Sequence, residues 1–177
     1  MPNIYSDEEE PSARLFVLVA DSSAQMRKII HNILMHSIGV ARVFDAADGE
    51  RALDVLSDSP CDLLILDVEM RPLGGIELAR RIRNNEEKVD PFVPIIITSS
   101  TPAIKDVAGA RDAGGTEYLA KPLSAKILNL RIQSLINKPR PFVKSESFFG
   151  PDRRRHTLDD NLNDERRSQE PEIIEPS

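Results

Sequence analysis

Short, uninterrupted apolar runs alternate along this chain with segments whose apolar residues recur every three or four positions. The run LFVLVA at 15–20 contains β-branched residues and no polar one, which is typical of a strand buried on both faces. The segment after it has the spacing of an amphipathic helix. Its apolar face consists of Met26, Ile29, Ile30, Ile33 and Leu34.

The alternation continues to residue 137 and predicts an α/β fold, a doubly wound sheet of five parallel strands with helices on both faces. The predicted strands are 15–20, 41–46, 63–66, 94–97 and 116–120. The predicted helices run from a cap at Ser22 or Ser23 to Gly39 and over 50–58, 75–84, 102–113 and 123–137.

Polar residues follow four of the predicted strands. They are Asp21, Asp67, the Thr98-Ser99 pair and Lys121. The carboxyl ends of parallel strands share one edge, where ligands bind in such sheets. Carboxylates are suitable ligands for Mg²⁺, and a lysine with a hydroxyl can hold a phosphoryl group. The sequence therefore predicts a site for Mg²⁺ and a phosphoryl group at this edge.

The spacing of these residues resembles the receiver domain of bacterial response regulators, and within them the single-domain CheY-like proteins. The resemblance covers about residues 14–137 and implies a flavodoxin-like receiver fold. It is carried by Asp21, Asp67, Ser99, Lys121-Pro122 and the segments MRKIIHNIL, DGERALDVL and LLILDVEM. Tyr118 stands at the family's aromatic switch position and is equally well explained by simple packing.

The resemblance implies a role for each site residue. Asp67 would be the phosphoacceptor, Ser99 would bond the phosphoryl group and Lys121 would pair with it. Asp21, Asp67 and the backbone carbonyl of Glu69 would face Mg²⁺. Thr98 is one residue away from the hydroxyl role, and Lys121-Pro122 is the expected place for a cis peptide bond.

Two departures from the family pattern weaken the expected site. The usual acidic pair after the first strand is Ala20-Asp21 here, so one carboxylate is missing and Mg²⁺ affinity should fall. The Met-Pro that usually follows the phosphoacceptor is Met70-Arg71-Pro72, and the usual Asp-Gly is Gly74-Gly75. We therefore expect weak phosphorylation of Asp67.

Composition and charge exclude several classes of protein. The chain has 177 residues, 40% of them hydrophobic, and its apolar runs are shorter than the roughly 18 residues of a membrane helix. Cys61 is its one cysteine, so we expect a cytoplasmic protein without membrane insertion. The net charge of −6 and the lack of a helix-turn-helix after the receiver argue against DNA binding. A dedicated enzyme is not expected, because phosphoryl transfer to Asp67 and its slow hydrolysis are the only chemistry implied.

The segment after the predicted receiver is basic and rich in proline. Residues 138–156 hold six bases and two acids, show no helix or strand period, and should be flexible on their own. Phenylalanines interleaved with arginines indicate recognition of a flat anionic ligand. Arginine forks bind guanine edges or phosphates, and aromatic rings stack on bases.

The stretch RPFVKSESFFGPDRRR resembles the arginine-rich tail of CheY-like proteins that bind cyclic di-GMP and act at the flagellar motor and in surface attachment. The resemblance implies that the tail is the ligand site. There are two alternatives to a ligand site. The phenylalanines of the tail could fold back onto the receiver while its arginines are only solvated, or the tail could bind a protein or RNA. The candidate ligand residues are Arg140, Phe149, Asp152, Arg153, Arg154 and Arg155.

Four segments are predicted: a disordered acidic N-terminus at 1–13, a receiver domain at 14–137, a ligand-binding tail at 138–157 and a disordered acidic C-terminus at 158–177. Two functions fit this organisation. One is a receiver that binds cyclic di-GMP and docks a partner such as the flagellar motor switch protein at the motor or cell pole. The other is a conventional regulator phosphorylated by a histidine kinase, whose tail contacts a protein.

Overall fold

Five strands form the parallel sheet that the apolar runs predict, in the order β2-β1-β3-β4-β5. The structure is a computed structural model that describes residues 11–101, 103–145, 148–152 and 172–174. The strands of this sheet are β1 (Phe16–Ala20), β2 (Arg42–Ala46), β3 (Leu63–Asp67), β4 (Ile95–Ser99) and β5 (Glu117–Ala120).

Four helices connect these strands and a fifth follows β5, and each begins or ends within a few residues of its predicted position. Within the part of the chain that the structure describes, no helix is long and apolar enough to span a bilayer. The helices are α1 (Ala24–Asn32), α2 (Gly49–Asp58), α3 (Gly75–Arg83), α4 (Ile104–Asp112) and α5 (Ala125–Asn137). The predicted fold class, a five-stranded flavodoxin-like sheet, is confirmed.

The sheet is buried on both faces because its strands alternate between two cores. Leu64 and Leu66 of β3 pack with apolar residues of α2, α3 and α4. Leu63 and Ile65 face the other side and pack with residues of α1 and α5. Double burial explains why the strand appears in the sequence as a continuous apolar run instead of an alternating one.

The first helix starts as predicted but ends differently. The hydroxyl of Ser23 caps α1 by accepting a hydrogen bond from the Met26 backbone N–H at 3.2 Å. The expected single helix to Gly39 is interrupted, since Ile33–Ile38 form a π-helical turn. Gly39 closes that turn with φ of 76°, a left-handed conformation that glycine adopts without strain.

Three more strands form a second, antiparallel sheet after α5, which we call the tail sheet. Its order is β7-β6-β8, with Phe142 of β6 opposite Pro151 of β7 and Ile174 of β8. Its strands are β6 (Phe142–Lys144), β7 (Phe149–Pro151) and β8 (Glu172–Ile174).

The tail sheet is fixed to the main sheet by three phenylalanine rings. The Phe92 ring, in the segment before β4, lies 5.1 Å from the Phe142 ring and 5.2 Å from the Phe149 ring, centroid to centroid. The Arg83 guanidinium lies 5.1 Å from the centroid of the Phe142 ring. These contacts bury Phe142 and connect the tail to the end of α3.

The structure therefore differs from the expectation of a flexible tail over 138–157. Residues 142–144 and 149–151 are strands whose aromatic side chains pack on the receiver, as in the fold-back alternative. The expected disorder of 158–177 does not hold at 172–174, where isoleucines supply a third strand. At the other end of the chain, Pro11–Arg14 form a 3₁₀ turn, and the Ser12 hydroxyl donates to the Ile38 carbonyl at 3.1 Å.

Phe92 is the receiver residue on which the tail sheet depends. Replacing it in Phe92→Ala removes two aromatic contacts, each worth about 0.5–1.5 kcal/mol beyond the burial of apolar area. We expect amide hydrogen exchange in β6 and β7 to accelerate by at least about tenfold, while β1 and β3 stay protected. Phe44→Ala, on the far edge strand β2, is the matched control and should leave tail exchange unchanged. Equal tail protection in both variants would contradict this attachment.

Candidate functional site

The sheet topology brings the predicted site residues together at the carboxyl ends of the strands. Asp21 follows β1, Asp67 ends β3, Ser99 ends β4 and Lys121 follows β5. Asp21, Asp67 and Ser99 are each at most 1% exposed. The side chain of Lys121 is 8% exposed, so its amine is almost fully withdrawn from solvent.

The amine of Lys121 joins the two carboxylates. Its Nζ atom lies 2.6 Å from Oδ2 of Asp21 and 2.7 Å from Oδ1 of Asp67. The other oxygen of Asp21 accepts a hydrogen bond from the Ser23 backbone N–H at 2.8 Å. The peptide bond from Lys121 to Pro122 is cis, at the place expected from the sequence.

The site holds two buried acids and one buried base, and this imbalance determines its electrostatics. Burial is the main reason why the pKa of Asp67 lies above its ordinary value, and the nearby Asp21 charge adds to it. Burial alone would lower the pKa of Lys121. Its hydrogen bonds to Asp21 and Asp67 outweigh burial and hold that pKa above its ordinary value, so the amine is charged at neutral pH.

Two adjacent hydroxyls at the end of β4 are distinguished by their hydrogen bonds. The Thr98 hydroxyl donates to the Leu66 carbonyl at 3.5 Å, within the sheet. The Ser99 hydroxyl oxygen accepts from the Thr101 backbone N–H at 3.1 Å. This bond does not use the proton of Ser99, and the hydroxyl role expected for Ser99 from sequence spacing stays a prediction.

The side-chain carboxylate of Glu69 makes a contact that the sequence analysis did not identify. Its carboxylate accepts a hydrogen bond from the Thr101 hydroxyl at 3.0 Å. Burial would raise the pKa of Glu69, but hydrogen bonds from Ser100 and Thr101 outweigh burial and lower it. Glu69 and Thr101 lie two residues after Asp67 and Ser99, respectively. No sequence period indicates this contact, because it joins two loops.

The start of α3 packs so closely against Asp67 that Gly75 leaves no room for a side chain. A Cβ atom at Gly75 would lie 2.6 Å from the Asp67 carbonyl oxygen, closer than a real side chain allows. The first turn of α3 therefore packs directly against the backbone of the candidate phosphoacceptor. The preceding bond from Arg71 to Pro72 is cis, in the stretch that departs from the receiver pattern.

The residue chemistry at this edge fits a magnesium ion. Two buried carboxylates supply hard oxygen ligands, and Mg²⁺ binds one or two carboxylates and completes its shell with waters. Asp21, Asp67 and the Glu69 carbonyl would hold the ion. Over residues 11–101, 103–145, 148–152 and 172–174, no cluster of three or more His, Cys, Asp or Glu residues is placed to hold a metal, so waters would complete the shell around these three ligands. Ala20, the residue before Asp21, is buried and its side chain supplies no oxygen ligand.

The predicted tail residues lie away from the carboxylate site. Arg140 pairs with Glu117 at 3.3 Å, and the Phe149 ring packs edge to face against the Phe92 ring. Asp152 is buried, and its backbone N–H donates to the Pro141 carbonyl at 2.7 Å. The other predicted ligand residues, Arg153, Arg154 and Arg155, lie outside the described residues.

Comparison with known proteins places this fold and site in a family. Residues 17–133 match the Response regulator receiver domain, and the chain belongs to this family. The chain is 30% identical over 131 residues to Response regulator MprA of Mycobacterium avium, which covers 74% of this chain and 55% of that protein. It thus spans about half the length of the MprA relatives it matches.

Smaller relatives match over nearly their whole length. The chain is 29% identical over 122 residues to the chemotaxis protein CheY of Pseudomonas aeruginosa, covering 69% of this chain and 96% of that protein. The receiver domain of sensor histidine kinase PA1611 from P. aeruginosa has a TM-score of 0.63 at 26% identity, covering 71% of this chain and 99% of the other. That neighbour was solved with a magnesium ion coordinated in its active-site cleft.

The charge imbalance at the site predicts a pH-dependent effect of Asp67→Asn on stability. Because the folded-state pKa of Asp67 is raised, ionising it costs stability as pH rises from its unfolded pKa through its folded pKa. We expect Asp67→Asn to raise the free energy of unfolding at pH 7 by roughly 1–2 kcal/mol, a typical coupling within a charged network. The gain should shrink towards pH 4, where the wild-type carboxyl takes up its proton.

Urea denaturation of both proteins at pH 7 and at pH 4 measures this gain. Asp54→Asn is the matched control, since Asp54 is 68% exposed and pairs with Arg51 on the surface of α2. A destabilised Asp67→Asn variant at pH 7 would show that Lys121 fully compensates both acids. A gain of equal size at both pH values would show that the ionisation of Asp67 is not its cause.

Proposed function

We propose that this chain is a receiver that accepts a phosphoryl group on Asp67 from a histidine kinase in the presence of Mg²⁺. The supporting observation is the Lys121 amine held between the buried Asp21 and Asp67 carboxylates. An Asp67 oxygen attacks the phosphorus of a phosphohistidine, a P–O bond forms, the P–N bond breaks, and the imidazole leaves and takes up a proton. A cation held by Asp21, Asp67 and the Glu69 carbonyl would supply the positive charge that neutralises the phosphoryl oxygens.

Each neighbour of Asp67 has a separate task in this proposal. Lys121 keeps contact with the acceptor and pairs with the added negative charge. Ser99 supplies the hydroxyl donor to a phosphoryl oxygen. Asp21 holds the metal, and the absence of an acid at Ala20 makes that binding weak.

Labelling with a small phosphoryl donor in the presence of Mg²⁺ tests this proposal. We expect slow, Mg²⁺-dependent, acid-stable and base-labile labelling, as for an acyl phosphate, that disappears in Asp67→Asn. Ser99→Ala should slow labelling by about 10–100-fold through loss of a charge-assisted hydrogen bond. Thr98→Val is the matched control and should label at the wild-type rate. Ala20→Asp should tighten Mg²⁺ binding. Labelling that persists in Asp67→Asn would place the acceptor elsewhere.

The second proposed function is binding of cyclic di-GMP by the arginine-rich tail. It is supported by the attachment of the chain up to Asp152, whose backbone bonds to Pro141, directly before Arg153, Arg154 and Arg155 in the sequence. These three arginines and Arg140 would bind the two phosphates and two guanines of the ligand. Arg140 would then exchange its bond to Glu117 for the ligand, and Asp152 would need to leave its buried position to reach a guanine edge.

A partner-docking role for the receiver body belongs to the same proposal. Apolar side chains remain exposed on α4 and α5, including Val107, Ile127 and Leu130, which is 61% exposed. Such a surface suits a protein partner, and we propose the flagellar motor switch protein, with recruitment from the cytoplasm to the motor or the cell pole.

Calorimetric titration with cyclic di-GMP separates the second function from the first. We expect the full chain to bind and a chain ending at Asn137 not to bind. Arg153→Lys keeps the charge but loses the planar fork, and it should weaken binding roughly 5- to 150-fold, as should Asp152→Ala. GTP should compete poorly. Equal affinities of wild type and both variants, or effective competition by GTP, would contradict specific recognition of cyclic di-GMP. The proposed phosphorylation of Asp67 would be unaffected by that result.

A further inference from the structure

A cavity separates the tail sheet from the amino end of the main sheet, opposite to the Asp67 site. Its volume is about 480 Å³, within the range typical of small-ligand sites. It lies between the end of α3, the segment before β4 and the strands β6, β7 and β8; we call it the amino-end cavity. Its lining includes Arg83, Asn84, Phe92, Lys144, Phe148 and Phe149.

Arg83 is the unusual member of this lining. It is 4% exposed, and two of its nitrogens are used: Nε donates to the Gly114 carbonyl at 2.9 Å and Nη1 to the Pro91 carbonyl at 2.6 Å. The third nitrogen, Nη2, is buried and has no hydrogen-bond partner among the described residues. A buried donor without an acceptor costs about 1–3 kcal/mol, and more when it is charged. A bound ligand would remove that cost.

The charge of the cavity selects an anion. Arg83 and Lys144 contribute two cations, whereas none of the described residues that line the cavity is an aspartate or a glutamate. Burial lowers the pKa of Arg83 to about 9, an effect that Asp90 opposes, so the guanidinium still carries its charge at neutral pH. An oxyanion would complete the hydrogen bonding of Nη2 and compensate both charges.

The aromatic residues that line the rest of the cavity favour a planar group next to that anion. Phe92 and Phe149 meet edge to face, at 83° between ring planes, and Phe148 lines the same space. Phenylalanine faces hold flat rings by stacking, and the Asn84 amide offers both a donor and an acceptor to a polar ring edge. A phosphate joined to a heteroaromatic base has this combination of groups.

We propose that the amino-end cavity binds a nucleotide, with its phosphate on Arg83 Nη2 and Lys144 and its base among the phenylalanines. This site requires neither phosphorylation of Asp67 nor the arginines at 153–155. A mononucleotide and a cyclic dinucleotide share the recognised chemistry, and the titration distinguishes them.

A purely structural role for Arg83 makes different predictions. In that role the guanidinium only joins α3 to the segments before β4 and β5 through the two backbone carbonyls that it already contacts. Substitution of Arg83 would then lower the unfolding temperature without changing nucleotide affinity, and exposed Lys144 would have no effect on either quantity.

Calorimetric titration of the full chain with AMP, GMP, cyclic di-GMP and inorganic phosphate tests the proposal. Lys144→Gln is the main variant, because Lys144 is exposed and its loss should leave the fold intact. Arg83→Lys is the second, and the unfolding temperature of each variant is measured in parallel. Lys138→Gln removes the same charge from an exposed residue that does not line the cavity and serves as the matched control.

We expect at least one nucleotide to bind, and to bind at least about tenfold more tightly than inorganic phosphate. Lys144→Gln and Arg83→Lys should each weaken that nucleotide about tenfold, the value of one charge-assisted hydrogen bond, and Lys138→Gln should not. Binding of AMP or GMP identifies a mononucleotide site, whereas binding of cyclic di-GMP alone identifies a dinucleotide site.

Three results would overturn the proposal: no nucleotide binding at about 1 mM, inorganic phosphate binding as tightly as the nucleotides, or equal nucleotide affinity in wild type, Lys144→Gln and Arg83→Lys. If cyclic di-GMP binds and only Arg153→Lys weakens it, the tail proposal stands and the cavity proposal falls.

Discussion

One ammonium group between two buried carboxylates determines most of what this receiver can do. Lys121 crosses from the strand at the edge, β5, to reach both Asp21 and Asp67 on the adjacent strands β1 and β3. Removing the ammonium would leave two buried carboxylates without compensation, which costs several kcal/mol. The cluster is therefore also a constraint on the sheet, because it ties together the ends of three strands.

The same cluster carries an excess of one negative charge, and this imbalance favours the chemistry of phosphoryl acceptance. A bound cation would remove the excess, and a phosphoryl group on Asp67 would restore negative charge close to an ammonium already in place. The residue before Asp21 is the buried Ala20, which adds no further acid to this cluster. Asp67 and Lys121 are both present, so we expect weak Mg²⁺ binding at a site whose acceptor geometry is intact.

The main sheet and its site could be predicted from the sequence because both follow from local rules. A strand buried on both faces must be continuously apolar, and the polar residue after it must lie at the common edge, as Asp67 does after β3. The tail could not be predicted in this way. Its strands are three residues long, too short for a period, and their packing depends on Phe92, which is about 50 residues earlier in the chain.

Arg83 is the clearest case of a residue whose role has no local signal. In the sequence it is one of three arginines in the last turn of α3, where cations favour the helix C-terminus and are usually solvated. Arg80 and Arg81 follow that rule, with side chains 47% and 41% exposed. The Arg83 guanidinium bonds to the Gly114 and Pro91 carbonyls and lies beside the Phe142 ring of the tail sheet, so its environment depends on residues up to about 60 positions later in the chain.

Helix α3 is one element that reaches from the Asp67 end of the sheet to the amino-end cavity. Helix α3 begins at Gly75, packed against the Asp67 carbonyl, and ends at Arg83 in the amino-end cavity. Nine helical residues span about 13 Å, and the helix interior packs tightly through Leu78 and Ile82. A shift of the α3 N-terminus on phosphorylation would therefore move the guanidinium as well. The coupling between the two sites is then measured by the ratio of nucleotide affinities with and without a phosphoryl group on Asp67. Because coupling is reciprocal, a bound nucleotide must change the phosphorylation equilibrium of Asp67 by the same factor.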